Sequence, residues 1–217
     1  MDTGYLIFKR IFDIIASLIT IVILLIPWLL ITIVIKWQSS GPVIFKPTRI
    51  GKDGKSFTLY KFRSMRVDSG AIHATTLRGD PRIFPFGNFL RKSKLDETPQ
   101  LINIIKGEMT IIGPRPEDKV NADKLYVGKY KEILSVKPGL SSPASLYDYT
   151  HGELYEDEED YMKEFEPKKL EVELYYVKHR STLYDFSIML RTIVTITQII
   201  LGKEDFKEPK EVHYAQL

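Results

Sequence analysis

Hydrophobic and polar positions divide this chain into one long apolar stretch and a mixed, periodic remainder. From Ile14 to Ile35 no residue is charged, and the polar side chains are those of Ser17, Thr20 and Thr32. As a helix this stretch would be roughly 33 Å long at ~1.5 Å per residue, enough for a hydrocarbon core of ~30 Å. It is not followed by the short polar region and small-residue cleavage site of a signal peptide, so a retained membrane segment is expected. Pro27 near its middle removes a helix hydrogen bond and predicts a break or kink. Downstream, Leu101, Ile102, Ile104 and Ile105 have the spacing of one helix face, and Thr110-Ile111-Ile112 reads as a short buried strand. Val43-Ile44-Phe45 and Phe57-Thr58-Leu59-Tyr60 read as strands around the glycine turn Gly51–Lys55. Helical patterns follow over about 170–177 and 185–201, the second packed or lying as an amphipathic helix on a membrane surface. Residues 202–217 are polar, and a poorly ordered tail is expected there.

Charge adds topology. Lys9 and Arg10 precede the apolar stretch, and Lys36, Lys46, Arg49, Lys52 and Lys55 follow it. The preference of basic flanks for one side of a membrane therefore draws both ends to the same side. A bent, re-entrant helix satisfies both flanks but leaves irregular backbone at depth, and a straight span does the reverse; the residues alone leave both open. The net charge of +3 is too small to argue for nucleic acid, and with no cysteine there is no disulfide, thiolate or cysteine–metal chemistry.

The candidate chemistry gathers in three places. From Lys36 to Arg66 there are eight Lys or Arg and one acid, Asp53, which suits anionic head groups or a phosphate-bearing substrate. Lys61 and Arg63 fall on one face of a strand there. Gly113-Pro114-Arg115-Pro116 fixes an arginine between two prolines, either as a plain rigid turn or as a phosphate clamp. Between these, Asp96-Glu97 follows the basic residues Arg91, Lys92 and Lys94 and precedes Pro99 and the apolar helix. By itself Asp96 reads as an N-cap of a helix starting near it. The acidic run from Glu153 to Asp160 reads as a solvated helix face, and His179 has no second histidine at metal-ligand spacing.

In their order, these motifs resemble the bacterial sugar transferases that are monotopic phosphoglycosyl transferases. The resemblance rests on Lys9-Arg10-Ile11-Phe12-Asp13, Gly41–Lys46, Tyr60–Met65, Leu95–Leu101, Gly107-Glu108-Met109, Gly113–Pro116 and Lys137-Pro138-Gly139, and runs from about Lys9 to Leu201. It implies the short, catalytic-domain form of the family. It also implies transfer of a sugar-1-phosphate from a UDP-sugar to undecaprenyl phosphate, with release of UMP, at the start of a surface glycan. Ping-pong chemistry with Mg²⁺ follows from it, as does a site at the cytoplasmic face of the bacterial inner membrane. Carried over by position, Asp96 is the nucleophile, Glu97 a catalytic residue and magnesium ligand, and Lys61, Arg63, Arg91, Arg115, Pro114 and Pro116 bind substrate. The resemblance favours the re-entrant helix with its bend at Pro27 and allows a homodimer. Ile83-Phe84-Pro85 and Leu140–Ser145 depart from the family pattern, which leaves the sugar open.

The expected fold class is thus α+β: a re-entrant membrane helix over 1–38, a helix-rich catalytic domain over 39–201 with a short β-hairpin or sheet and surface amphipathic helices, and a polar tail over 202–217. The competing functions are a membrane-bound nucleotide-sugar diphosphatase and a non-catalytic, membrane-anchored binding protein.

Overall fold

A computed structural model describes residues 3–67, 80–155 and 157–214. It opens with a single helix, α1 (Thr3–Gln38), which contains Pro27. Short strands follow: β1 (Ile44–Phe45), β2 (Thr48–Ile50), β3 (Ser56–Thr58) and β4 (Lys61–Phe62). After α2 (Pro85–Lys92) comes a 3₁₀ stretch, Leu95–Gln100, and then α3 (Leu101–Lys106), β5 (Thr110–Ile112) and α4 (Lys119–Leu125). The remainder is β6 (Gly139–Ser141), α5 (Pro143–His151), α6 (Glu158–Asp160), a π-turn (Tyr161–Phe165), α7 (Glu166–His179), α8 (Thr182–Ile200) and α9 (Lys210–Tyr214). The described residues are mostly helical with three two-stranded sheets, an α+β arrangement. β1 pairs with β4 and β2 with β3, both antiparallel, while β5 and β6 are parallel.

Helix α1 is part of the core and not a detached anchor. Tyr5, Lys9, Asp13, Ser17, Ile21, Leu24, Trp28, Ile31 and Ile35 recur every three or four residues, so they share one face. That face meets the rest of the chain along its whole length. Tyr5 and Lys9 donate to Asp185 at the start of α8. Asp13 accepts from the Thr110 hydroxyl and the Ile111 N–H, and Ile21 and Leu24 pack on Leu59, Leu101, Ile104 and Met109. Ile31 and Ile35 complete a core of Phe62, Phe84 and Leu90. The opposite face exposes Ile11, Ile15, Val22, Ile26, Leu29 and Ile33, an apolar band too large to leave in water without a partner. α1 and α8 are both long and apolar enough to cross a membrane, and both are mostly exposed.

Two expectations change. Pro27 lies inside one helical element and does not separate two helices; it forfeits one backbone bond, while the packed turns on either side keep the helix together. The tail, up to residue 214, is folded back. Glu211 is fully buried, accepting from Arg191 at 2.6 and 3.0 Å and from the Tyr184 hydroxyl, and Val212 enters the core around Tyr147 and Phe165. Polar composition hid this because the docking contacts are themselves ionic. Of the acidic run, Glu156 lies outside the described residues; Asp157 accepts from the backbone N–H groups of Glu159 and Asp160.

One face of α1 is held from Tyr5 to Ile35 against the same domain, a packing expected to keep both ends on that domain's side of a bilayer. Thr3→Cys and Ser40→Cys, made singly in a chain that has no cysteine, should therefore behave alike towards a membrane-impermeant thiol reagent. Both should be protected in intact cells and both labelled after lysis. Labelling of one alone would mean that α1 crosses the bilayer.

Candidate active site

α1 holds both the 3₁₀ stretch carrying Asp96 and Glu97 and the helix α3 that follows it. The Trp28 indole N–H donates to the Thr98 hydroxyl at 2.9 Å. Arg10 donates to the carbonyls of Ile104 and Ile105 at 2.6 and 2.9 Å, satisfying the open C-terminal end of α3. The N-cap reading of Asp96 fails. The residue before the stretch is Lys94, in the left-handed conformation (φ 55°), and no side chain caps it. Neither Asp96 oxygen accepts a hydrogen bond, although the residue is 1% exposed. A helix of six residues beginning five positions later does not supply the charge compensation either; side chains do.

Lys61, at the start of β4, places its ammonium 2.8 Å from Asp96 Oδ2 and 3.5 Å from Glu97 Oε1. Arg115 lies 3.0 Å from the same Glu97 oxygen. Burial opposes ionisation of Glu97, but the charges of Arg115, Lys61 and Lys94 outweigh it and hold the carboxyl well below its usual range. Burial depresses the Lys94 ammonium, with Glu97 opposing; the side chain lies 3.8 Å over the Tyr149 ring, a cation–π contact. Arg115 reaches the site because β5 and β6 run unusually close. A Cβ on Gly139 would stand 2.1 Å from the Gly113 nitrogen, so only glycine allows the pairing that sets the Gly-Pro-Arg-Pro turn. Glu173 on α7 then accepts from the Arg115 N–H at 2.9 Å and from the Ser142 hydroxyl at 3.0 Å. Its burial, partly offset by these bonds, pushes its carboxyl up to about 7.

These groups line a cleft of about 980 Å³. Ten Lys or Arg and six Asp or Glu face it, an excess that suits an anionic ligand. Of the residues singled out by sequence, Lys61, Arg91, Arg115, Pro116, Asp96 and Glu97 line this cleft together. Arg63 borders it too, but its guanidinium donates to the Ser39 hydroxyl and to the carbonyls of Ser39 and Ser40 at the end of α1. Pro114 is not on the cleft wall; its carbonyl accepts from the Gly139 N–H. Among the described residues no group of three or more His, Cys, Asp or Glu is placed to hold a metal. The hard oxygens of Asp96, free of hydrogen bonds, and of ionised Glu97 nonetheless fit Mg²⁺, which binds through one or two carboxylates and completes its shell from water and substrate phosphate.

A family model described as bacterial sugar transferase matches residues 4–199. The chain belongs to that family. It is 36% identical over 190 residues to the UDP-glucose:undecaprenyl-phosphate glucose-1-phosphate transferase of Escherichia coli (strain K12), covering 85% of this chain and 39% of that protein. It is also 36% identical over 199 residues to the UDP-N-acetylgalactosamine-undecaprenyl-phosphate N-acetylgalactosaminephosphotransferase of Aeromonas hydrophila, covering 88% and 44%. A putative undecaprenyl-phosphate N-acetylgalactosaminyl 1-phosphate transferase of Bacillus subtilis (strain 168) is 45% identical over 123 residues, 55% of this chain and 68% of that one. The chain thus spans about two-fifths of the length of the first two relatives.

In this bacterial sugar transferase, the sequence reading missed Lys94, Tyr149 and Glu173 as parts of the site. Lys94 carried a signal in its place in the basic run, but nothing in the sequence announces its left-handed backbone. That conformation costs a non-glycine residue about 1–2 kcal/mol and is kept here where it turns a cation towards the dyad. Lys94→Gly should therefore be about 1 kcal/mol more stable than Lys94→Ala, measured by denaturant unfolding, while both lose turnover because both lose the cation.

Glu173 gives a pH prediction. Its folded pKa, about 7, lies above the ordinary 4.5, so the folded state binds the extra proton between these values. The contribution of Glu173 to stability is greatest below about 4.5 and is lost as pH rises through about 7. Relative to Glu173→Gln, the parent should lose up to about 3 kcal/mol of stability across that window. A difference that stays flat with pH would remove this role.

Proposed function

We propose that the chain transfers a sugar-1-phosphate from a UDP-sugar to undecaprenyl phosphate, starting a bacterial surface glycan at the cytoplasmic face of the inner membrane. The observation that carries this reading is Asp96, a buried carboxylate on the wall of a cationic cleft that is paired with the Lys61 ammonium through Oδ2 and takes no hydrogen bond at Oδ1. A carboxylate oxygen of Asp96 attacks the phosphorus that bears the sugar, and the bond from that phosphorus to the bridging oxygen breaks. UMP leaves with the electron pair, and a phosphosugar-aspartyl ester remains. A phosphate oxygen of undecaprenyl phosphate then attacks the same phosphorus and returns the Asp96 carboxylate. Splitting the transfer lets a soluble donor and a lipid acceptor use one nucleophile in turn.

The side chains supply charge neutralisation along this path. Lys61 already pairs with Asp96; as phosphate enters, its ammonium shifts its interaction to the phosphoryl oxygens and frees the nucleophile. Arg115 and Arg91 face the same cleft and suit the diphosphate through planar, bidentate donation. Arg63 ties the end of α1 to β4, so in this reading it acts on the neighbouring Lys61 by position. Glu97, held ionised, and Asp96 are the residues that would hold Mg²⁺, which would supply further neutralisation of the phosphates. Pro116 and Pro114 hold the Arg115 turn. The exposed faces of α1 and α8 keep the cleft at head-group depth, where a polyprenyl phosphate presents its phosphate.

The test is Asp96→Asn with UMP release and lipid-linked product both measured. The variant should fold as the parent does and lose at least about 10³-fold in turnover, the scale of removing a nucleophile. It should also form no acid-stable protein–phosphosugar adduct from the UDP-sugar alone. Turnover at the parent rate would show that Asp96 is not the nucleophile. Parent UMP release that does not depend on undecaprenyl phosphate would instead favour a diphosphatase.

A further inference from the structure

A second wall of the same cleft repeats the signature of Asp96. Among the described residues lining the cleft, the buried carboxylate oxygens without a hydrogen bond are those of Asp96, whose Oδ2 is ion-paired with Lys61, and Oε1 of Glu166. Glu166 is 3% exposed. Its other oxygen, Oε2, takes the Lys169 ammonium at 2.8 Å, which orients the carboxylate and leaves Oε1 unspent. A buried acceptor without a partner is costly, and at a cleft wall a ligand hydroxyl is a donor that can satisfy it. The backbone agrees: Glu166 starts α7 directly after the π-turn Tyr161–Phe165, and π-turns within helices are frequent at functional sites.

The chemistry of this wall differs from that around the dyad. The Tyr161 hydroxyl donates to Asp148 at 2.9 Å, and the Tyr161 ring, Met162 and Asp148 face the cleft with Glu166. Asp148 lies within electrostatic reach of Lys94 and Arg115 on one side and of Tyr161 and Glu166 on the other, so the two walls are contiguous. Carboxylates repel phosphate, and an aromatic ring beside an acceptor suits the mixed face of a sugar ring. Uracil fits poorly, since its one N–H donor is flanked by two carbonyl acceptors that a carboxylate would repel. A ring hydroxyl has no such conflict.

Resting on the transferase reading above, we propose that Glu166, oriented by Lys169, is a hydroxyl-reading subsite whose Oε1 accepts from a ring hydroxyl of the bound nucleotide sugar. Both the transferred sugar and the ribose offer that chemistry.

The experiment uses the full chain in membranes, with Glu166→Gln and Glu166→Met. It measures KM and kcat for UMP release with UDP-glucose, UDP-galactose and UDP-N-acetylgalactosamine, inhibition by UMP, and the melting temperature. Glu166→Met should raise KM for the best donor by about tenfold or more, as expected for one lost hydrogen bond to a charged acceptor, with a smaller change in kcat. Glu166→Gln, which keeps an acceptor, should show a smaller rise, and it carries the test if the methionine variant does not fold. An unchanged UMP inhibition constant with an altered order of preference among the three donors assigns the contact to the transferred sugar. A parallel rise in the UMP constant assigns it to the ribose. Folded variants whose KM, donor preference and UMP inhibition all match the parent overturn the proposal. A parent that releases no UMP from any donor would instead refute the transferase reading beneath it.

Discussion

The clamp between α1 and the dyad segment is the constraint on which the rest of the molecule depends. Six consecutive residues, Leu95–Gln100, hold a 3₁₀ conformation that is not intrinsically stable over such a length. They keep it because Trp28 binds Thr98 within the stretch and Arg10 closes the helix that follows. Both donors come from the most hydrophobic element of the chain. Insertion of that element into an apolar phase and the placing of Asp96 are therefore one packing problem.

Around that fixed segment the charges form a closed set. Glu97 is shared by Lys61 and Arg115, and Asp96 is in contact with Lys61. Removing one partner from such a buried group leaves another uncompensated, which typically costs about 3–5 kcal/mol. The set is supported from outside by the close approach of Gly113 and Gly139 and by Glu173, which holds the Arg115 backbone. Precision at the dyad is thus borrowed from elements that never touch it.

Much of this was legible in the sequence, because it is written in local patterns. The apolar run of α1, the Thr110–Ile112 strand and the Gly-Pro-Arg-Pro turn appear where periodicity and turn chemistry put them; the Gly51–Lys55 turn does join a hairpin, but of Thr48–Ile50 with Ser56–Thr58, while Ile44–Phe45 pairs instead with Lys61–Phe62. The dyad and its cations Lys61, Arg91 and Arg115 do converge on one cleft. What could not be read depends on contacts distant along the chain or on backbone state. Glu211 looked like tail polarity until Arg191 and Tyr184 were found around it. Lys94 looked like one more basic residue, and its left-handed φ has no sequence signature outside glycine and asparagine. Glu166 was masked by the acidic run before it, although Glu-Pro at a helix start with lysine three residues on was a visible clue. Asp96 as a cap was a fair reading of composition that failed because Asp96 lies inside the 3₁₀ stretch, with Lys94 preceding it and no side chain capping it.

The unbroken stripe on α1 bears on how such a protein can be handled. Trimming the apolar helix to obtain a water-soluble fragment is a common simplification for membrane-anchored enzymes. Here it would strip Ile31 and Ile35 from beside Phe84 and Leu90, both fully buried, and open the carbonyl end of α3. The greasy segment is the floor of the domain that carries the cleft, so solubility has to come from a surrounding amphiphile and not from the scissors.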